Sequence, residues 1–315
     1  MAMYYAEWIH RTHDILKRLQ NCLPFTGYPL SDDAGYDPFF IVGSGRSGST
    51  LLRRMLIAHP DVYIPPESWV LGRCVKLWRQ HPSLTWRDRV YLILAQFEYT
   101  PRMRERGWPE LAPVAQRLLA VEPKARSLAR IIDMVYRFSA EQDSDCRRWG
   151  DKTPLSTFSL PRIRSVFPSA RFIHLIRDGC DVTFSYLQAG RYHDLKLAAR
   201  RWAAAAKLAS RFCRRHSDQC IEIRYEQLVT KPEETLRQVC GLLDLEFIPR
   251  MIESEDVACR MKNVSKTNPF TENVLRPVFA DSIGKGRRAL SADQRQLIAP
   301  IIGKELARLG YDPCS

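Results

Sequence analysis

Short apolar runs alternate with longer amphipathic stretches along most of this chain. Three runs rich in β-branched and aromatic residues predict buried strands. They lie at 39–42, 171–177 and 221–225. The amphipathic stretches have apolar residues at helical spacing. They include 194–215, 232–243 and 291–308. Strands that alternate with helices predict an α/β fold, with a parallel sheet flanked by helices on both faces.

The segment from residue 69 to residue 140 is also helical in pattern, with breaks near Pro101 and Pro109. We expect it to be a helical insertion in a single domain that spans 38–315. We place an N-terminal arm at 1–37, where apolar positions have near-helical spacing. An amphipathic helix that packs on the domain is one interpretation of this arm. A segment that binds a membrane surface or a partner is the other.

The most informative segment is the glycine-rich stretch from Gly43 to Thr50, which separates the first apolar run from a helical pattern. Backbone N–H groups at the start of a helix attract an anion, and glycine lets the chain approach it closely. A nucleoside-triphosphate loop would have lysine where this chain has Ser49, and here Arg46 supplies the positive charge. This P-loop-like cradle therefore predicts a phosphorylated ligand other than a magnesium-bound nucleoside triphosphate.

Composition narrows the classes of partner. The chain of 315 residues is 45% apolar and has a net charge of +13, which favours anionic ligands. Arginine is spread along the chain without a basic block, which argues against nucleic acid. No apolar stretch reaches the roughly 18 residues of a membrane span, so we expect no transmembrane anchor.

The cysteines indicate the compartment. There are nine of them, without a C-x-x-C pair and without a His/Cys cluster that has the spacing of a metal site. The first 38 residues also lack the apolar core of a secretory signal. We therefore expect reduced thiols, a cytoplasmic protein and no bound metal.

Four groups of motifs occur in the order found in one enzyme family. The cradle Gly45–Leu52 resembles the 5′-phosphosulfate loop of sulfotransferases that use 3′-phosphoadenylyl sulfate (PAPS). Ile176–Gly179, followed by Ser185, resembles their 3′-phosphate motif, and Arg224–Leu228 resembles a stretch of tyrosylprotein sulfotransferases. The C-terminal region of that subfamily is similar to segments here at 263–266, 274–278 and 309–313. The resemblance covers about residues 38–313. Tyrosylprotein sulfotransferases have an N-terminal membrane helix, and because this sequence shows none we expect a soluble, bacterial-type member.

A donor of this kind carries a 5′-phosphosulfate and a separate 3′-phosphate, so two anion sites far apart in the sequence are expected. The resemblance implies that the cradle residues bind the first phosphate. They are Arg46, Ser47, Gly48, Ser49 and Thr50. Arg177 and Ser185 are implied to bind the second. Because a transferring sulfuryl group carries less charge than a phosphoryl group, arginine and lysine can stabilise it without a metal.

Three side chains are implied to take part in the chemistry itself. Arg46 lies near the sulfuryl group by resemblance, and Lys152 matches the lysine that contacts that group or its bridging oxygen. An acceptor hydroxyl must lose its proton, and Glu67 in Pro-Pro-Glu-Ser resembles the catalytic base of tyrosylprotein sulfotransferases.

Histidine is the alternative base, because cytosolic sulfotransferases of small molecules use one. His81 lies in the predicted insertion and is the rival to Glu67. His59 follows the cradle helix, and His174 lies inside a buried strand, so we expect both to be structural.

The remaining candidates lie toward the C-terminus. Tyr225 either packs on the adenine or covers the end of a strand. By resemblance, Ser265 and Lys285 fall in a loop that closes over the donor, and Ser265 is also a candidate catalytic group. Arg287 is left open as a contact of the 3′-phosphate. The chain departs from the family pattern at Ala189, where an arginine is expected.

We therefore expect a PAPS-dependent O-sulfotransferase that releases 3′-phosphoadenosine 5′-phosphate (PAP). The acceptor is a tyrosine of an acidic peptide, a carbohydrate or a small natural product, and the resemblance favours tyrosine. A homodimer is one assembly that we consider. The alternatives are a small-molecule kinase, against which Ser49 argues, and a nucleotide-binding module without turnover.

Overall fold

The computed structural model describes residues 27–101, 103–141, 146–253, 261 and 277–314, and the fold and site below lie within these ranges. One sheet has five strands: β1 (Phe39–Gly43), β2 (Val62–Tyr63), β3 (Arg148–Lys152), β4 (Arg171–Ile176) and β5 (Cys220–Arg224). Their order is β2-β3-β1-β4-β5, and every pair is parallel. The predicted parallel sheet is confirmed, with β1 at its centre.

Helices connect the strands. Before β3 they are α1 (Ser49–Ile57), α2 (Leu71–Gln80), α3 (Trp86–Glu98), α4 (Ala112–Leu119) and α5 (Leu128–Glu141). Between β3 and β5 they are α6 (Leu160–Val166), α7 (Gly179–Gln188) and α8 (Leu195–Arg215). After β5 they are α9 (Tyr225–Thr230), α10 (Pro232–Leu242), α11 (Lys285–Ala289) and α12 (Ala292–Arg308). Within the described ranges, none of these helices has the length and apolarity needed to cross a bilayer.

Alternate side chains of β1 enter two separate cores. Phe39 and Ile41 pack on one face of the sheet with α1 and α10. Phe40 and Val42 pack on the other face with α2 to α5. All five residues of β1 are buried, as expected for a strand that is covered on both faces.

The predicted helical insertion consists of α2 to α5, which lie between β2 and β3 in the chain. Its apolar faces share a core with Phe40 of the sheet, so insertion and sheet form one domain. The described start of the chain lies against it, since the indole Nε1 of Trp78 donates to the Tyr28 carbonyl at 3.1 Å. The amphipathic helix expected in the arm falls mostly on residues 1–26, outside the described part of the chain.

The cysteine chemistry differs from the expectation of reduced thiols. Cys180 forms a disulfide with Cys314, and Cys213 forms one with Cys220. The first pair is separated by 134 residues, so cysteine spacing in the sequence carried no sign that the two are neighbours.

Candidate active site

The predicted phosphate cradle lies at the carboxyl end of β1, the central strand. Gly43 and Gly48 have φ angles of 128° and 92°, and Arg46 also has a positive φ of 67°. Helix α1 begins at Ser49, and Leu52 N donates to the Gly48 carbonyl at 3.1 Å. The N–H groups that precede this first intrahelical bond are the ones that an anion satisfies at a helix N-terminus.

Tyr225 forms the wall behind Gly48. A Cβ atom on Gly48 would lie 2.4 Å from Tyr225 Cδ2, so only glycine fits at this position. The Arg177 guanidinium lies 4.4 Å from the centre of the same ring, in a cation–π contact. The sequence analysis ended a strand at Tyr225, but β5 ends at Arg224 and Tyr225 begins α9. This turn brings the ring over the cradle.

A cavity of about 330 Å³ opens between the cradle and α7. Most of the predicted donor-binding residues line it together. They are Arg46, Gly48, Ser49, Thr50, Arg177, Ser185, Tyr225 and Lys285. The two groups of residues predicted to bind the phosphates, far apart in the sequence, therefore face one space.

Other side chains of this lining were missed by the sequence analysis. They include Phe184, Gln188, Phe279 and Ser282. Gln188 lies one helical turn after Phe184 on α7, so helical periodicity applied around Ser185 could have found it. No motif marks Phe279 or Ser282.

Two arginines meet at the junction of cradle and cavity. Arg46 Nε donates to Ser185 Oγ at 3.1 Å, and Arg177 Nη1 donates to the Arg46 carbonyl at 3.2 Å. Burial lowers the pKa of Arg46, and the charges of Arg177 and Arg191 lower it further. The positive charges of these arginines repel one another, and an anion in the cavity would offset that repulsion.

Two buried polar atoms at this place lack a hydrogen-bond partner within the described ranges, namely Ser47 Oγ and Arg177 Nε. Buried polar groups usually have partners, so each such atom calls for an explanation. Arg177 lines the cavity, so a phosphorylated ligand bound there would accept from its guanidinium, whereas Ser47 is not among the lining residues. The cradle, Arg177 and Lys285 line one cavity, and these residues fit a ligand with more than one phosphate group.

Asp181 ties the C-terminal segment to α7. Its carboxylate accepts from Gly284 N at 2.8 Å and from Gly286 N at 2.7 Å, and it lies 3.7 Å from Arg177 Nη2. Lys285, between those two glycines, begins α11 and lines the cavity. Asp181 thus holds the backbone on both sides of Lys285, beside the cavity that Lys285 lines.

Arg287, left open as a contact of the 3′-phosphate, is not among the residues that line the cavity and is bonded to other parts of the protein. Its guanidinium bonds to the Asp178 carboxylate at 2.7 Å and donates to the carbonyls of Asp312 and Pro313, each also at 2.7 Å. It thereby anchors the C-terminal segment to the start of α7.

Lys152 and Glu67 form an ion pair at the end of β3, and β3 lies on the other side of β1 from β4, which leads to Arg177. Lys152 ends β3, next to β1 in the sheet, and its Nζ bonds to Glu67 Oε1. The same ammonium lies 3.4 Å from Thr50 Oγ1 at the start of α1. The structure thus brings the two predicted catalytic groups into contact with each other and with the cradle.

The loop that carries Glu67 is fixed from both sides. Trp108 Nε1 of the insertion donates to the Pro66 carbonyl at 3.1 Å. On the other side Ser68 N donates to Thr153 Oγ1 at 3.3 Å, and Ser68 Oγ donates to Asp151 Oδ2 at 3.4 Å. Glu67 is therefore held relative to the end of β3, where Lys152 lies.

Asp151 is the centre of this support, and the sequence analysis assigned it no role. Tyr136 Oη donates to its Oδ2 at 2.8 Å and Thr153 Oγ1 donates at 3.0 Å. Burial raises the pKa of Asp151 to about 6, although these hydrogen bonds act in the opposite direction. Its position two residues after Trp149, at the end of a strand, was the only signal in the sequence.

The three histidines weighed as alternatives to Glu67 lie in different surroundings. His59 is buried, and its Nδ1 accepts from Asp61 N at 3.2 Å. His174 is buried in β4, and its Nδ1 lies 2.8 Å from Glu222 Oε1, which confirms a core position. His81 follows the last residue of α2 and is exposed. None of these three, and neither Glu67 nor Lys152, is among the residues that line the cavity, but Lys152 joins Glu67 to Thr50 of its lining.

Across the described ranges, one group of side chains has the proximity of metal ligands. The ligand atoms of His174, Cys213 and Glu222 lie within 4.8 Å of one another. Cys213 is bonded to Cys220, and none of these residues lines the cavity. The predicted catalytic and donor-binding Ser265 lies outside the described residues.

The profile of the sulfotransferase family matches residues 38–249, from the strand before the cradle to the helix after Tyr225 and beyond. This chain therefore belongs to the sulfotransferase family, and it is a sulfotransferase enzyme of α/β fold.

Individual relatives are protein-tyrosine sulfotransferases. Protein-tyrosine sulfotransferase 1 of Danio rerio is 28% identical over 318 residues, which cover 96% of this chain and 81% of the relative. Protein-tyrosine sulfotransferase A of Caenorhabditis elegans is 26% identical, and the match covers 90% of this chain and 70% of the relative. Among solved structures, the sulfotransferase domain of the Synechococcus PCC 7002 olefin synthase superposes with a TM-score of 0.61 at 24% identity. That match covers 90% of this chain and 98% of the domain, and it shows the shared fold.

Proposed function

We propose that this sulfotransferase moves the sulfuryl group of PAPS to the phenolic hydroxyl of a tyrosine in an acidic peptide and releases PAP. The observation that carries the proposal is the single cavity that joins the phosphate cradle to Arg177 and Lys285. A donor with two separated phosphates needs two such anion sites, whereas a nucleotide with one phosphate chain needs only the cradle.

The residues of the cavity divide between the two ends of the donor. The cradle N–H groups and Arg46 would hold the 5′-phosphosulfate, because a helix N-terminus and a guanidinium both favour an anion. Arg177, Ser185 and Lys285 would hold the 3′-phosphate at the other end. Tyr225 lies between them and offers its ring to the adenosine.

The Lys152–Glu67 pair supplies the groups that the transfer needs. When bound, PAPS supplies a sulfuryl group attached to a phosphate that can leave. Glu67 takes the proton of the acceptor hydroxyl as the new S–O bond forms and the S–O bond to the phosphate breaks. Lys152 stabilises the negative charge that develops on the leaving phosphate, and Arg46 adds a second cation.

The same pair explains how the resting site is kept ready. Each charge neutralises the other in a partly buried place, which lowers the cost of holding both there. The donor then replaces Glu67 as the partner of Lys152, and the acceptor hydroxyl becomes the partner of Glu67. Neither group has to be brought in from solvent.

A tyrosine acceptor is supported by two observations. The relatives with detectable similarity include protein-tyrosine sulfotransferases of animals. The net charge of +13 also attracts a peptide with acidic residues. A carbohydrate or a small natural product uses the same chemistry and is the alternative that the test separates.

The test is transfer of radiolabelled PAPS to a peptide with one tyrosine between acidic residues. We expect label on the peptide and an equal amount of PAP, and no label on the matched peptide with phenylalanine in place of tyrosine. Label found only on a carbohydrate or small alcohol would correct the acceptor. Absence of PAP binding, or phosphate transfer from magnesium-bound ATP, would refute the sulfotransferase mechanism.

A further inference from the structure

Trp69 has an unusual position two residues after the candidate base. Its φ angle is 57°, a region that bulky residues rarely occupy. Its side chain is 37% exposed, although large aromatic side chains are usually buried. Strain of this kind is often kept where it serves function. Trp69 lies just before α2, on the loop that carries Glu67.

The indole of Trp69 bonds directly to the candidate base. Its Nε1–H donates to Glu67 Oε2 at 2.7 Å, while Glu67 Oε1 bonds to Lys152. The two oxygens of the carboxylate are thus oriented by two different groups. One is a charge that the donor would draw away, and the other is a neutral N–H that stays.

Ser68 makes this arrangement rigid. It is fully buried, and it is bonded through its amide to Thr153 and through its hydroxyl to Asp151. Glu67 and Trp69 are its two neighbours in the chain, so both are attached to a fixed point. The positive φ of Trp69 turns the indole back toward the carboxylate, where the hydrogen bond forms.

The distance to the ring limits what the acceptor can be. A hydroxyl bonded to Glu67 lies about 2.8 Å from a carboxylate oxygen, and the indole nitrogen lies as close on the other side. The hydroxyl and the indole thus share one carboxylate, which makes the exposed indole ring a neighbour of the group that carries the hydroxyl. A phenol places its ring directly behind its hydroxyl.

We propose that Trp69 determines acceptor specificity: its N–H orients Glu67, and its exposed ring stacks on the planar aryl ring of a phenolic acceptor. This inference rests on the proposed role of Glu67 as base. It assigns the N–H to positioning and the ring to binding, and the two parts can be separated by substitution.

Two variants separate them. Trp69→Phe removes the N–H and keeps a ring, whereas Trp69→Leu removes both. The acceptor is p-cresol, which corresponds to the side chain of tyrosine. Its saturated counterpart, 4-methylcyclohexanol, is measured as an inhibitor. Steady-state kcat and KM are measured at saturating PAPS from the rate of PAP release, across a range of pH.

We expect both variants to lower kcat and to move the acid limb of the kcat/KM profile to higher pH, because a carboxylate that loses a donor holds its proton more readily. KM for p-cresol rises at least fivefold in Trp69→Leu and stays within twofold in Trp69→Phe. Inhibition by 4-methylcyclohexanol is equal in all three proteins. Tyr91→Leu, an aromatic on α3 that is 47% exposed, is the matched control and leaves every value unchanged.

Two results would overturn the inference while the enzyme stays active. Equal KM values for p-cresol in Trp69→Phe and Trp69→Leu would exclude stacking. An acid limb that does not move in either variant would exclude positioning of Glu67. By contrast, a wild-type protein that binds PAPS and releases no PAP with any hydroxyl acceptor refutes the proposed function itself. PAP-induced thermal shifts of the variants report whether they remain folded.

Discussion

Lys152 Nζ bonds to Glu67 Oε1, and this ion pair joins the carboxyl end of β3 to the loop before α2. The Lys152 side chain is 3% exposed and that of Glu67 is 24% exposed, so the pair lies where the buried sheet meets an accessible surface. Lys152 also approaches Thr50 of the cradle helix. Two of the candidate catalytic groups are thereby held beside the predicted phosphate cradle.

Lys152→Met keeps the length of the side chain and removes its charge. We expect kcat to fall by roughly 10²-fold, because one group that stabilises developing charge typically contributes this much. KM for the acceptor changes little. The double variant with Glu67→Gln should lose less than the product of the two single losses, since residues that act together are not additive. Independent, multiplicative losses measured by PAP release would contradict a shared role.

Gly48→Ala tests whether the cradle must approach its ligand closely. The new Cβ would lie 2.4 Å from Tyr225, at a φ of 92° that favours glycine. We expect the rise in melting temperature caused by PAP to be lost. Gly303→Ala is the matched control, because Gly303 in α12 has open space around it. The control should be slightly more stable and keep its PAP response. An unchanged PAP response in Gly48→Ala would show that the cradle does not bind the donor.

Arg177→Lys tests the site assigned to the 3′-phosphate. A lysine cannot reproduce the forked geometry of a guanidinium. We expect calorimetry to show affinity for PAP reduced by about tenfold or more, while affinity for AMP, which lacks that phosphate, is unchanged. Arg171→Lys, at the far end of β4, is the control. An equal loss of affinity for PAP and for AMP would show that Arg177 does not bind the 3′-phosphate.

Asp151 gives the protein a specific dependence of stability on pH. Its pKa is about 6 in the folded state against an ordinary value of 3.8, so the folded chain keeps a proton that the unfolded chain has lost. The free energy of unfolding therefore falls as pH rises through this interval, by about 2–3 kcal/mol from this group alone. Above the folded pKa it no longer changes.

Asp151→Asn removes that contribution. Denaturant unfolding at a series of pH values between 4 and 7 should show a flatter decline in the variant than in the wild type. The difference between the two curves isolates Asp151 from the other carboxylates. Parallel curves would mean that Asp151 is ionised in the folded state throughout this range.

The sequence predicted the sheet and the donor site because local signals mark both. The apolar run before Gly43 predicts a strand, and the glycines after it need conformations that few other residues adopt. Arg177 and Ser185 follow another apolar run. Since the carboxyl ends of parallel strands meet at one edge of a sheet, these motifs had to converge.

The support around Glu67 was not predictable in the same way. Ser68, Asp151 and Tyr136 are bonded to one another across three separate elements, and none has a diagnostic neighbour in the sequence. The disulfide between Cys180 and Cys314 is equally non-local. Trp69 reads as an ordinary apolar residue of a helical segment, and only its backbone angle and its bond to Glu67 distinguish it.

The role of Glu67 as base is the central claim, and Glu67→Gln tests it most directly. The measurement is kcat for sulfuryl transfer from PAPS to the tyrosine peptide, together with the dissociation constant of PAP. Glu233→Gln, an exposed glutamate paired with Arg237, is the matched control. We predict that kcat falls roughly 10³-fold in Glu67→Gln while PAP binds within twofold of the wild type, because general base catalysis contributes 10²–10⁴-fold. A Glu67→Gln enzyme with near-wild-type kcat would contradict the account.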